Sequence, residues 1–444
     1  MSAEPVLERE AVELARALIR IDSTNTGDPA TIGDGEARAA RFLRERLAEV
    51  GYETHYAESH PGRGNLVVRL PGADRDRGAL VAHAHLDVVP VHAADWTHPP
   101  FGAEVHDGVL HGRGAVDMKG YAGILAAVAR DYARRGVVPR RDLVFAFFAD
   151  EEAGGVHGAR WVVAERPQWL AGVTQAIGEV GGFPVPLPGD GPDRRAYLLA
   201  TAEKGVAAAV LRARGPAGHA SRPAADDAVG RLVRAVAAVA AHRFPVVRTP
   251  ATAAFLLACA GAGDEVGADE LERLLDALGP AGPIGRAGLR DLATPTVLRA
   301  GYKTNVVPGE AVAELDCRVL PGREDAFRRE LAEVLHRAVG DGVRLEWRDW
   351  IPPIAAAPDA PLVERIAEAV RAEDPAGTVV PYLMPASTDN KHLSALGIDG
   401  YGFTPLRVPA GFDAFGLFHA ADERVPVDAL RFGARVTERI LRTA

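Results

Sequence analysis

Short unbroken apolar runs alternate, over roughly the first 200 residues, with longer stretches that place an apolar residue every three or four positions. GNLVVRLPG, GALVAHAHLDVVP and DLVFAFFA are short, continuously apolar and bounded by turn residues, which predicts buried strands. YAGILAAVARDYARRG and HGARWVVAERP have helical spacing, as does MSAEPVLEREAVELARALIR, whose Leu7, Val12, Leu14, Ala15 and Leu18 share one side. Strands separated by helices of that length predict an α/β fold, a largely parallel sheet with helices on both faces. In such sheets ligands bind beyond the carboxyl ends of the strands.

From about Lys204 the texture changes. KGVAAAVLRARG reads as a strand and DDAVGRLVRAVAAVAAH as a helix; an Ala- and Gly-rich insert from Arg243 to Thr294 follows. Two extended runs in TPTVLRAGYKTNVVPGEAVAELDCRVLPG, a helix in DAFRRELAEVLHRAV and the strand VRLEWRDW complete a β-α-β-β-α-β order, that of a small α+β, ferredoxin-like domain. After PPIAAAPDAP the first pattern returns, so this unit reads as inserted. Residues 1–202 and 356–444 are then two parts of one domain, and 203–355 the other.

A chain of 444 residues exceeds the size at which one core usually stops growing, in keeping with two domains. The formal charge of -9 gives no reason to expect a nucleic-acid partner or an anionic membrane. The charged N-terminal helix is neither signal peptide nor membrane span. Cys259 and Cys317 lack metal-type spacing and read as free thiols of a reducing cytoplasm.

The chemistry is concentrated at strand ends. In RDLVFAFFADEEAGG a buried strand runs into Asp150, Glu151 and Glu152, and adjacent like charges need cations to offset them. Metal ions are the reading adopted, with a solvated acidic turn as the alternative. Two adjacent glutamates could divide the work, one holding a metal and the other taking a proton from water. In LVAHAHLDVVP, His85 and Asp87 share a face, as a ligand and its orienting carboxylate would, although a core histidine beside a capping aspartate fits equally. His83, on that face, reads as packing or as support for the ligands. Asp117 in HGRGAVDMKGYAG stands before a helix, where a cap is the plainer explanation, and the loop matches no nucleotide-binding spacing. Glu179 in AIGEVGGF and His419 in FGLFHAADERVP each follow a short apolar run. Imidazoles and carboxylates together suit zinc and its neighbours. Their arrival from five separate loops excludes a zinc finger.

In order along the chain, HLDVVP, GRGAVDMKG, FADEEAGG, GEVGG, GHASRP, NVVPGEAVAELDCRVLPG and HAADERV resemble the aminoacylase and carboxypeptidase family of dinuclear metallohydrolases. That family includes acetylornithine deacetylase and succinyl-diaminopimelate desuccinylase. STDNKHLSALGIDGYGFTPL with HAADERV resembles most the carboxypeptidase S and N-acyl amino acid hydrolase branch. The resemblance implies a zinc-exopeptidase-like catalytic domain with an inserted lid and dimerisation domain, in a cytoplasmic homodimer. It further implies two divalent ions, Zn2+ with Co2+ or Mn2+ as alternatives, one held by His85 and Glu179, the other by Glu152 and His419, with Asp117 bridging. Asp87 would orient His85, and Glu151 would act as base on a water between the ions. His219 would stabilise the oxyanion in the partner subunit's site, and Asn305 and Arg318 would hold the substrate carboxylate. A surface or interface ion pair is the alternative for Arg318. Asp389 in PASTDNKH matches a weaker motif without an assigned role.

The implied activity is cleavage of the amide of a small N-acyl amino acid or peptide with a free carboxylate. A dipeptidase or aminopeptidase on the same site is the alternative, and a non-catalytic binding protein a third reading. Against the third, Glu151, the five ligands and His219 are all present. Ala84 stands where the family commonly has glycine, and the long insert departs from the family's pattern.

Overall fold

The computed structural model describes residues 5–187, 194–222, 226–261, 266–279, 281–409 and 411–444. A ten-stranded mixed sheet forms its centre. Across the sheet run Thr54–Glu58, Gly64–Leu70, Leu143–Phe148, Ala79–His85, Val173–Gly178, Asp399–Gly402, Arg195–Glu203 and Ile354–Ala355. Gly181–Pro186 and Gly377–Met384 also pair with Arg195–Glu203. The middle four, from Leu143–Phe148 to Asp399–Gly402, are parallel, and antiparallel pairs flank them.

Period-two alternation sorts the apolar runs between two helical layers. Leu80, Ala82, Phe145 and Phe147 face one core with the helices Val6–Ile19, Gly35–Ala48, Lys119–Arg135, Pro361–Glu373 and Val427–Thr443. Val81, Val144, Ala146 and Phe148 face the other, with Ala159 and Val162 of the helix Ala159–Glu165. Burial of each of these phenylalanines contributes about 2 kcal/mol.

A second sheet, entirely antiparallel, has the order Leu292–Ala300, Glu310–Val319, Gly205–Arg214, Val343–Ile351. Leu232, Ala235 and Val239 of the helix Ala228–Ala241 join Phe327, Leu331 and Val334 of Glu324–Val339 in the core beneath it. Leaving aside two-residue strands, the chain order here is the expected β-α-β-β-α-β. The helices of the insert, Pro250–Ala260, Ala268–Ala277 and Ala281–Ala287, do not join this core. Their Phe255, Leu256, Leu271 and Leu275 pack with Leu198, Ala200, Val380 and Tyr382 of the large sheet, because that sheet's extension otherwise leaves those side chains uncovered.

Cys259 and Cys317 are free and buried, and burial pushes both thiols up to about 12. Among the described residues no helix is long and apolar enough to cross a membrane. A small sheet of Glu104–His106, Val109–His111 and Arg424–Pro426 ties the loop before Asp117 to the segment after His419.

Candidate metal centre

His85 is the last residue of a strand buried along its whole length, so its ring emerges where the sheet ends. Its Nε2 lies 3.0 Å from Asp117 Oδ1 and 3.4 Å from Glu179 Oε2. The other oxygen, Asp117 Oδ2, lies 3.2 Å from His419 Nε2, which is 3.1 Å from Glu152 Oε2. One buried aspartate therefore gives a separate oxygen to each of two His/Glu pairs. Four loops and one strand end meet here from positions up to 334 residues apart (419 − 85).

Asp87 organises the near side. The Nδ1 of His85 lies 3.0 Å from the Asp87 carbonyl and 3.4 Å from its Oδ1. The two carboxylate oxygens of Asp87 accept from the Glu151 and Glu152 amides at 3.1 and 3.0 Å, and Asn25 Nδ2 donates to Oδ2. With Nδ1 so engaged, His85 presents Nε2 to the centre. His83 turns to the face of Val81, its Nε2 2.9 Å from Asn390 Oδ1.

The three consecutive acids have three different fates. Asp150, with φ +67°, points away: its Oδ1 lies 3.5 Å from Arg63 and accepts from Asn25, and its Oδ2 accepts from the His157 amide. Its cation is therefore a guanidinium, since the left-handed backbone turns its side chain out of the direction of the next two. Glu151 has Lys391 Nζ 3.8 Å from its Oε1. Glu152 faces His419, and its Oε1 is buried with no hydrogen-bond partner among the described residues.

Burial and the crowding of carboxylates dominate the electrostatics of the site. Burial, then Asp117, pushes Glu152 up to about 7. Burial likewise raises Glu151 and carries Glu179 well above the carboxylate range. Burial works against a charged His85, but Glu179 and Asp117 outweigh it and hold the ring well above its usual value. Asp117, then Glu152, raises His419 to about 10. Burial thus disfavours charge on the glutamates, while the carboxylates favour charge on the two imidazoles, so cations at this point would suit the whole donor set. The set fits two divalent ions: His85, Glu151 and Glu179 form one cluster of potential donors and His85, Asp117 and Glu152 another, each within 4.8 Å, and the orphaned Glu152 oxygen supplies a further lone pair.

Glu423 and Lys391 were not singled out in the sequence, and Asp389 was noted there without a role. Glu423 accepts from the backbone amides of Val116 and Asp117 on one oxygen, and from Gly114 and the Arg113 guanidinium on the other. It thereby fixes the loop that carries Asp117. Its only sequence signal is its place four residues after His419 in HAADERV. Lys391 and Asp389 belong to PASTDNKH; Asp389 is buried with both oxygens unpartnered among the described residues.

His219, Asn305 and Arg318 lie outside this cluster. His219 is exposed, with Nδ1 2.8 Å from Ser221 Oγ, and Asn305 is exposed on the neighbouring segment, its carbonyl accepting from the Ala220 amide. Arg318 forks onto Asp316 at 2.7 and 3.0 Å. No hydrogen bond or ion pair among the described residues joins these three to His85, Asp117, Glu152, Glu179 or His419.

The sequence profile described as peptidase family M20/M25/M40 matches residues 81–443, a span that includes every residue of the cluster. The chain belongs to that family. This M20 chain is 28% identical over 443 residues to aminoacylase-1 of Pongo abelii, covering 99% of the chain and 96% of that protein. It is 29% identical over 383 residues to the N-fatty-acyl-amino acid synthase/hydrolase PM20D1.1 of Danio rerio, covering 82% and 72%. Among solved structures, the fold matches an M20 family metallo-carboxypeptidase from Sulfolobus solfataricus with a TM-score of 0.70 at 18% identity, covering 98% of each chain. It matches a dinuclear metal-binding M20 peptidase of Bacillus subtilis with a TM-score of 0.64 at 14% identity, covering 99% of each. The chain is thus an M20 metallohydrolase, with the mixed α/β architecture of that family and a separate small sheet.

Proposed function

We propose that this M20 metallohydrolase cleaves the amide of a small N-acyl amino acid or peptide with a free carboxylate. The observation that carries the reading is the splitting of Asp117, Oδ1 toward His85 and Glu179 and Oδ2 toward His419 and Glu152, with Glu151 alongside. Divalent ions there, Zn2+ or a neighbour such as Co2+, would polarise the substrate carbonyl and acidify a water.

The residues do the rest. Glu151 takes the proton of the attacking water and returns it to the leaving nitrogen. Burial raises its carboxyl toward that exchange, and Lys391 opposes the shift, keeping the base available. Asp87 keeps His85 turned with Nε2 inward. His219 donates to the oxyanion of a partner subunit's site, a role supported by its exposure and its distance in contacts from the ligands of its own chain. The substrate carboxylate engages Asn305 and Arg318, with Asp316 released from the guanidinium.

The acyl group has a place to go. A cavity of about 650 Å³ is lined by Phe183, Ile284, Val408, Phe412 and Phe415. Part of its wall comes from the runs that carry Glu179 and His419, the rest from the insert at Ile284 and from Arg194 and Arg195, and Phe183 packs against both Phe415 and Phe418. This supports an apolar acyl or side chain, in line with relatives named for acyl amino acids. The dipeptidase reading is supported by Asp389, a buried unpaired carboxyl beside Lys391 that could accept a substrate ammonium.

Replacing Glu151 with Gln tests the proposal. Metal content should equal wild type while turnover falls by about 100-fold or more; unimpaired turnover would show that another group is the base. N-acyl amino acids assayed beside dipeptides separate the two substrate readings.

A further inference from the structure

A second group of metal-ligating side chains stands apart from this centre, on the small sheet that precedes Asp117. Glu104 and His106 are two apart on one strand and share a face; His111 is the antiparallel partner of Glu104 and lies on that face as well. His98, from the preceding loop, closes over them. Its ring stacks on His106 at 4.2 Å between centroids and lies 4.4 Å from His111. Glu104 Oε2 lies 2.8 Å from His106 Nε2 and 3.9 Å from His98 Nδ1.

Burial, then His98 and His106, lowers His111, and its Nδ1 is buried with no hydrogen-bond partner among the described residues. Donor atoms of His98, Glu104 and His106 already fall within 4.8 Å of one another. A tetrahedral ion with ligands at about 2.1 Å needs donors about 3.4 Å apart. The side chains of His98, Glu104 and His106 are 27%, 46% and 47% exposed, which leaves the rings free to turn through the difference and the ion free to enter. Arg424, paired across the sheet with His111, is the opposing charge, and Asp422, held by Thr97, offsets it.

We infer that His98, Glu104 and His106, with His111 as a fourth ligand, form an additional site for one divalent ion of the zinc, nickel and copper group. The site is separate from the paired centre: none of its residues belongs to that ligand set. It would clasp the loop carrying His98 to the hairpin that leads into Asp117.

The test is equilibrium dialysis of the full, metal-loaded chain against Zn2+ alone, with wild type beside His98→Ala/His106→Ala and Glu104→Gln. Wild type should bind one ion per chain more than the double variant, and Glu104→Gln should bind that ion at least about 10-fold more weakly. Circular dichroism and amidase activity, matched to wild type, show that the variants are folded. Equal stoichiometry in wild type and the double variant overturns the inference. With the paired centre filled by Zn2+, one equivalent of Cu2+ gives a second readout, because the multi-imidazole nitrogen hyperfine pattern of wild type should change in the double variant; an identical spectrum would also overturn it. Counting the difference keeps the result independent of what the paired centre hydrolyses.

Discussion

Glu423→Gln probes how the bridging aspartate is held. Glu423 is fully buried and touches neither proposed metal nor proposed substrate, yet its two oxygens receive four donors, from Gly114, Val116, Asp117 and Arg113, at 2.7 to 2.9 Å. An amide turned either way sets an NH2 group against two of them. Two charge-assisted bonds are lost, and the Arg113 guanidinium, itself buried, loses its counter-charge. At about 1.5–3 kcal/mol for each bond to a charged acceptor, the cost is about 3–6 kcal/mol. An unfolding entropy of about 2.1 cal/mol/K per residue over 444 residues makes this a fall of about 3–6 °C in Tm. Because the same bonds position Asp117, metal affinity should fall by about 10- to 100-fold. Thermal unfolding of the metal-free protein and metal titration followed by turnover measure the two effects, and excess metal should restore most of the activity. Wild-type Tm together with wild-type metal affinity would refute the idea that Glu423 holds the bridge.

Other outcomes can be checked directly. Mixing His219→Ala with Glu151→Gln protein should restore turnover through hybrid dimers, whereas a fully active monomer by sedimentation would rule out action across subunits. Burial lowers His83 to about 4, and burial followed by Lys391 does the same for His392. Both are neutral in the fold while the unfolded chain takes up protons from about pH 6.5 downward, so stability is lost as pH falls from about 6.5 to 4, by up to about 3 kcal/mol each. His392→Gln should flatten the dependence of denaturant unfolding on pH, and an unchanged slope would contradict the assignment. Phe183→Ala should lower kcat/KM about 10-fold for long apolar acyl chains and little for acetyl, since each methylene in an apolar pocket matters by roughly 1–3 kcal/mol; equal loss on both would place the acyl group elsewhere.

The large sheet was legible because LVFAFF is apolar at every position and its companions nearly so, in runs as short as strands and bounded by turn residues, as strands covered on both faces require. The order of the second unit was legible too, from the switch between periods of two and of three to four. The insert was not: its helices are apolar enough to need a surface, but periodicity does not say which, and they chose the large sheet. Arg318 shows a similar limit, since a sequence motif names a guanidinium without revealing the Asp316 that it grips in the free chain.

By itself the sequence determined the residue types and the order in which they arrive, two histidines and a set of acids, most of them at the ends of apolar runs. That is local information, since a strand end follows from the run that precedes it. Only the tertiary structure decided that Asp117 divides its oxygens between two pairs, that Asp150 turns away to Arg63, and that Glu423 rather than a helix cap secures the loop. Those are contacts between residues up to 310 positions apart (423 − 113), and what sets them is burial of charge, which must find its partner wherever the chain brings one.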